Sequence, residues 1–315
     1  MTDRFLPEPV GPILRWAGGK GRLLGTLRRK LPPTFLSGHG RYFEPFFGAG
    51  ALGLDLISNS GLSPKRVVIN DLNADLINLY RVLQDGGEVF QNFWIRYRKI
   101  CSKLEALEQC GGEKCRGTQA DGEKCERDAF YKVIRDKYHP TSASGKAARF
   151  LFMNRTCFNG LYRVNGSGGF NVPFGHLAKP KFFTRLELQL FGELLRSVKI
   201  RNSDFVSAVK DAKAGDFVYF DPPYIKVSET SQHTTYNAGG FDMEHQKRLC
   251  SLIEDLISRK VHVLISNSNT EATTALYSEL NLYVTYPEVR RSVSANISSR
   301  AVVTEFLGSS YPTNG

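Results

Sequence analysis

The segment best suited to chemistry is Asp221-Pro222-Pro223-Tyr224, which follows the apolar run Phe217-Val218-Tyr219-Phe220. The run is short and rich in aromatic and β-branched residues, as a buried strand is. Two prolines cannot continue a ladder, so the chain must leave the sheet there. In open α/β sheets, ligands bind at the carboxyl ends of strands. Asp221, the Pro222 carbonyl and Tyr224 therefore offer a carboxylate, a rigid acceptor and a flat ring in one place. These groups suit an exocyclic amine on a nucleobase, whose lone pair is delocalised into the ring and poorly nucleophilic. Two acceptors can take its hydrogens and draw the nitrogen toward a pyramidal shape, while Tyr224 supplies a stacking face. The lone pair then becomes available for attack on an electrophilic methyl group. Taken alone, the segment also reads as a Pro-rich turn after a strand.

Two further segments narrow the choice. Trp16-Ala17-Gly18-Gly19-Lys20 precedes a helical pattern through Leu23, Leu24, Leu27 and Leu31. Glycines ahead of a helix leave backbone N–H groups at its positive end, a place for a carboxylate. In Glu44-Pro45-Phe46-Phe47-Gly48-Ala49-Gly50, a strand ends in a glycine loop, though not with the dinucleotide-fold spacing. About twenty residues later, Val67 to Asp71 forms a second strand ending in an acid, placed for the hydroxyls of a ribose. A glycine loop with a ribose acid implies a cofactor containing a nucleoside. No phosphate-binding loop is present, and S-adenosylmethionine (SAM), with an adenosine, a carboxylate and no phosphates, fits.

The chain has 315 residues, 42 Lys plus Arg against 31 acids, and a net charge of +11. That excess points to a polyanion, above all nucleic acid. No apolar run of about 18 residues is present, and Met1-Thr2-Asp3-Arg4 has no signal-peptide character. The expectation is a soluble cytoplasmic protein, associated with the nucleoid through DNA. Of six cysteines, Cys101, Cys110, Cys115 and Cys125 crowd into one polar stretch. Their spacing lacks the paired signature of a zinc site, so the expectation is no metal and reduced thiols, with Cys110, Cys115 and Cys125 as the weak zinc candidates.

Taken together, the motifs resemble the Dam-type DNA adenine-N6 methyltransferases, the D12 class of the α group. The matching segments are Trp16 to Lys20, Phe43 to Gly50, Asn70 to Ile77, Asn154 to Arg163, Gly169 to Gly175, Asp221 to Tyr224 and Val263 to Asn267, in the family's order. The resemblance implies a Rossmann-like α/β SAM-dependent methyltransferase sheet with an inserted helical and β-hairpin target-recognition domain. The catalytic domain would be 1–80 and 186–315, and the recognition domain 81–185, with a Cys-containing insertion at about 101–126. It implies SAM contacts from Trp16, Gly18, Lys20, Phe47, Gly48, Gly50, Asp71, Asp204, Phe205 and Asp221. Asp221, Pro222, Pro223 and Tyr224 would hold the target base. Lys20 is expected at the cofactor, protonated as an exposed lysine is.

Residues 161 to 172, with Gly166 to Gly169 at the centre, read as a β-hairpin, a shape that fits the major groove. The resemblance makes this the recognition hairpin, with Phe158 as a wedge in the base stack. Asn159, Leu161, Arg163, Asn165 and Arg155 would touch DNA, and Phe170 reads better as a core ring. Arg291 lies in a basic polar loop suited to backbone phosphates, and residues 233 to 241 read as a loop able to close on the site. After Phe174-Gly175 the chain has His176-Leu177-Ala178-Lys179, which departs from the Arg-Tyr-Lys type sequence of GATC-specific members. The expected activity is methyl transfer from SAM to adenine N6 in duplex DNA by base flipping, by a solitary enzyme or a restriction partner. Cytosine N4, RNA adenine and a catalytically dead SAM- or DNA-binding protein stay open as alternatives.

Overall fold

The computed structural model describes residues 11–108, 125–224, 241–290 and 302–313. Its helices are α1 (Leu24–Arg29), α2 (Ala51–Ser58), α3 (Ala74–Asp85), α4 (Glu88–Ala106), α5 (Glu126–Asp136), α6 (Ala143–Thr156), α7 (Arg185–Leu195), α8 (Phe205–Ala208), α9 (Met243–Ser258) and α10 (Glu271–Tyr277). Its strands are β1 (Tyr42–Glu44), β2 (Val67–Asn70), β3 (Lys199–Arg201), β4 (Phe217–Phe220), β5 (His262–Ser268), β6 (Tyr283–Thr285), β7 (Glu288–Arg290) and β8 (Val302–Ser309). The chain divides into two compact units. A helical unit takes the described residues within 1–19 and 73–197, and a sheet unit takes those within 20–72 and 198–315.

In the sheet unit the strand order is β3-β2-β1-β4-β5-β8-β6, with β7 also paired to β8. Every pair from β3 to β5 is parallel. The strands β1, β2 and β4 are buried at every position, so they read as apolar runs rather than alternating ones, with polar Glu44 and Asn70 closing β1 and β2. Phe43, Val218, Val263 and Ile265 share one core with Leu249, Ile253 and Leu256 of α9. Burying each such side chain contributes about 1.5–3 kcal/mol. The chain runs outward from β1 to β3, then crosses back to β4. The order therefore reverses between β1 and β4, and the carboxyl ends of these two strands flank the switch point where such sheets bind ligands. The last strand, β8, lies between β5 and β6, antiparallel to both.

In the helical unit, α6 packs on α3 and α4, and α3 also packs on α7. Rings fill the spaces. Tyr80 stacks on Phe191, Phe93 on Tyr97 and Phe152 on Phe182. The helices start at sequence-encoded caps: Asn73 accepts from the Leu76 N–H, Ser142 from Gly145, and Thr184 forms a reciprocal capping box with Glu187. The expected hairpin is short. Val164 bridges Phe170, and Asn171 N–H donates to the Arg163 carbonyl (3.0 Å). Cys101, Cys157 and Cys250 are free thiols, whereas Cys125 is disulfide-bonded, contrary to the expectation of reduced thiols. Cys110, Cys115, Arg291 and the loop 233–240 lie outside the described residues. Among the described residues no group of acids, histidines and cysteines could hold a metal, and no helix is long and apolar enough to cross a membrane.

Gly192 of α7 marks the tightest helix contact. A Cβ there would lie 2.2 Å from the Leu83 carbonyl oxygen of α3. Helix propensity favours alanine by about 1 kcal/mol, but the clash forces α7 away from a close-packed neighbour. Gly192→Ala should therefore destabilise the protein by about 1–3 kcal/mol net, seen as a lower urea midpoint at unchanged m-value.

Candidate active site

The sheet unit builds its site from the ends of β1, β2 and β4 and from the middle of β8. At the end of β4, Asp221 Oδ1 lies 3.0 Å from the Lys20 ammonium and accepts from the Ser266 hydroxyl at 3.0 Å. Lys20 is 4% exposed. Its Nζ also donates to the Tyr224 hydroxyl (2.8 Å) and lies 3.3 Å from Glu305 Oε2. The Tyr224 hydroxyl in turn donates to Glu305 Oε1 (2.9 Å). Burial alone would lower the lysine, but Asp221, Tyr224 and Glu305 reverse this and hold it well above the ordinary lysine range. The expectation of an exposed lysine is thus corrected: Lys20 is buried, and it stays protonated because of its acid neighbours. Burial pushes the Tyr224 phenol up to about 12, against the pull of Lys20, so it keeps the proton that it donates. Burial likewise pushes Asp221 upward, opposed by Lys20 and Ser266.

The second half of the motif is held by a chain of buried dipoles. Asn267 donates to the Tyr277 hydroxyl (3.2 Å), Tyr277 to Gln246 Oε1 (3.0 Å), and the Gln246 amide to the Pro223 carbonyl (3.2 Å). Pro223 itself is exposed, while Pro222 is buried.

At β1, Glu44 is buried and its Oε2 accepts from the Tyr42 hydroxyl (2.9 Å) and the Gly53 N–H (3.0 Å). This staples the strand to α2 across the glycine loop. Within that loop Gly50 has φ of 73°, and a Cβ would sit 2.2 Å from the Phe47 ring, so only glycine fits. Asp71 Oδ2 accepts from the Gly48 N–H (2.9 Å). Asn70 binds the Pro45 and Ser203 carbonyls, and Asn202 the Asp71 and Leu72 carbonyls. The acid expected at a ribose thus also braces the glycine loop.

Other expectations are revised. Gly18 and Gly19 do not open an α-helix: Gly19 N–H returns to the Trp16 carbonyl (3.2 Å), and a 3₁₀ turn, Lys20–Arg22, follows. Asp204 caps α8, accepting from Val206 N–H (3.0 Å) and Arg248 (3.2 Å). The Phe205 side chain is core, packed on Phe46 and Phe241.

In the helical unit, Trp16 stacks on Tyr162 with centroids 5.8 Å apart. Asn154 clasps the Arg15 backbone from both sides (3.0 and 2.7 Å) and reaches the Gly160 carbonyl (3.2 Å). Phe158 is 49% exposed, and Asn159, also exposed, has φ of 53°. Leu161 is half-buried. Arg163 Nε donates to Asn171 Oδ1 (2.7 Å) across the hairpin. Asn165 Oδ1 accepts from Ser167 and Gly169 (both 2.8 Å), so it organises the turn. Arg155 is a correction. It is 7% exposed and its Nε donates to the Lys181 carbonyl (2.9 Å), so it braces the interior and offers no surface for DNA.

The arrangement is an open, mostly parallel sheet with an acidic motif at its switch point, where such sheets bind ligands. Residues 16–293 match the family model described as D12 class N6 adenine-specific DNA methyltransferase. The chain is 36% identical over 302 residues to the type II methyltransferase M1.LlaDCHI of Lactococcus lactis subsp. cremoris, covering 95% of each. It is 34% identical over 297 residues to a DNA adenine methylase of Serratia marcescens, covering 94% of this chain and 96% of that protein. To the DNA adenine methylase of Escherichia coli K12 it is 32% identical over 296 residues, covering 94% and 93%. The chain belongs to the D12 class of N6 adenine-specific DNA methyltransferases. It is an adenine-specific DNA methyltransferase, and these matches give no support to cytosine N4 or RNA as the target.

Sequence reasoning missed Glu305 and Gln246. An acid within Val302-Val303-Thr304-Glu305-Phe306-Leu307, an otherwise apolar strand, was the available signal for the first. Glu44 yields a test. Burial pushes its carboxyl up to about 8, opposed by Tyr42 and Gly53. A folded-state value above the unfolded one stabilises fully below the unfolded range and is lost as pH rises toward 8. Glu44→Gln should therefore gain stability relative to the parent between about pH 4.5 and 8, by on the order of a few kcal/mol. Parallel urea titrations across that window would read it. Equal pH slopes would show that Glu44 does not retain its proton.

Proposed function

We propose that the methyl donor is SAM and that Asp221, the Pro222 carbonyl and Tyr224 act on an adenine turned out of duplex DNA. The observation that carries this is the placement of Asp221 beside the Tyr224 phenol, at the end of β4 and at the switch point, with both tied to one buried ammonium. The donor set fits a cationic ligand, since Asp221 and Glu305 supply two carboxylates to one lysine. Asp71, Phe47, Gly48 and Gly50 would hold the nucleoside end, with Asp204 toward its base, and Lys20 would fix Asp221. When bound, SAM supplies a methyl carbon made electrophilic by positive sulfur, which departs as a neutral thioether. Asp221 and the Pro222 oxygen accept the two amine hydrogens and localise the nitrogen lone pair, which forms the new N–C bond as the S–C pair returns to sulfur. The alkylated amine is acidic and then releases its surplus proton. Tyr224 holds the base flat throughout. Exposed Phe158 and Asn159, with Leu161 and Arg163 of the hairpin, would meet the duplex.

The test is incubation of purified protein with labelled SAM and duplex DNA, followed by digestion to nucleosides. Label should appear as N6-methyladenine, and Asp221→Ala should lower turnover on the order of 10²-fold or more when assayed below its own melting temperature, which falls because buried Lys20 loses a partner. Undiminished methylation by that variant would refute the role of Asp221. Label on cytosine would refute the adenine target.

A further inference from the structure

Glu305 lies on β8, far in sequence from the catalytic motif. Its backbone is paired with Ser268 of β5, and its N–H donates to the Pro287 carbonyl (3.0 Å), so its place is set on both sides. An ammonium has three hydrogens. Two of them meet acceptors, the Tyr224 oxygen at 2.8 Å and Asp221 Oδ1 at 3.0 Å, and Glu305 Oε2 stands 3.3 Å from Nζ as an ion-pair partner. Glu305 also engages the phenol, because its other oxygen accepts the Tyr224 proton (2.9 Å). The phenol is thereby an acceptor from lysine and a donor to glutamate, which fixes its rotation. Charge balance for Lys20 needs only Asp221. A second carboxylate, 13% exposed and with an Oε2 that has no hydrogen-bond partner among the described residues, carries a desolvation cost that stability alone does not justify.

We infer that Glu305 is a positioning residue for methyl transfer, pinning the Tyr224 ring and sharing the Lys20 ammonium with Asp221, so that the group retains one uncompensated negative charge favouring a cationic donor over its neutral product. This rests on the proposal that Asp221 and Tyr224 act on the base and that the donor is SAM. Without Glu305 the whole ammonium falls to Asp221, which becomes a weaker acceptor for the amine, and the ring loses its anchor.

Glu305→Gln keeps the shape and an oxygen for the phenol but removes the charge. Calorimetry on the full chain should show SAM weakened relative to S-adenosylhomocysteine by roughly three- to tenfold. On duplex DNA, kcat should fall roughly tenfold while the KM for DNA stays near the parental value, and the melting temperature should hold or rise. In a Tyr224→Phe background, which keeps the ring and removes the hydroxyl, Glu305→Ala should cost less than in the parent. Should the alanine variant fail to fold, the glutamine variant alone decides. A Glu305→Gln protein with the parental affinity ratio and parental kcat overturns the inference. Asp221→Ala separates the two levels. Retained turnover there sinks the underlying proposal, whereas an inactive Asp221→Ala beside a parental Glu305→Gln sinks only the role of Glu305.

Discussion

A lysine with almost no exposure to water is tolerable only if polar partners and opposite charge replace the water it loses, and that requirement organises the centre of the sheet unit. Lys20 meets it by drawing together Asp221 and Tyr224 from the end of β4 and Glu305 from β8. Each of these groups is a poor occupant of a buried site by itself. Held around one cation they satisfy each other, and the geometry becomes rigid because moving any member leaves a charge or a donor stranded. The motif is thus set from behind, by residues that the substrate has no need to touch.

The sheet supplies the places. Parallel strands of three or four residues, buried on both faces, can carry only apolar side chains along their length, so polar groups collect where the strands end. Glu44, Asp71 and Asp221 all stand at or just beyond such ends. The glycine loop between β1 and α2 is then locked from two directions, by Glu44 on Gly53 and by Asp71 on Gly48. A loop braced in this way presents its backbone at fixed positions without a side chain in the way.

Much of this was legible in the sequence because it rests on residues with one structural use. Paired prolines end a strand, which made Phe217 to Phe220 recognisable, and Val67 to Asn70 stood out as a short apolar run ending in an acid. What was not legible depends on who faces whom. Arg155 looked available to DNA, yet α6 is buried on nearly all sides and has no outward stripe for a periodic pattern to reveal. Its guanidinium turns to a backbone carbonyl instead. The leucines after Lys20 suggested a helix opening at the glycines, but a 3₁₀ turn intervenes before α1. Phe205 follows a functional-looking acid and still belongs to the core. Glu305 escaped notice because one acid in a strand is an ordinary surface feature until its partners are known.

The relay from Asn267 through Tyr277 and Gln246 runs in one direction, each donor pointing toward the catalytic motif and ending on the carbonyl of Pro223. Two adjacent prolines are chemically alike, and nothing in their covalent structure tells their two carbonyl oxygens apart. By engaging the second, the relay breaks that symmetry, and a side-chain amide on α9 gives identical neighbours different surroundings. A glutamate in place of Gln246 would be nearly isosteric yet aim a lone pair where a hydrogen is required, and the distinction between the two prolines would vanish.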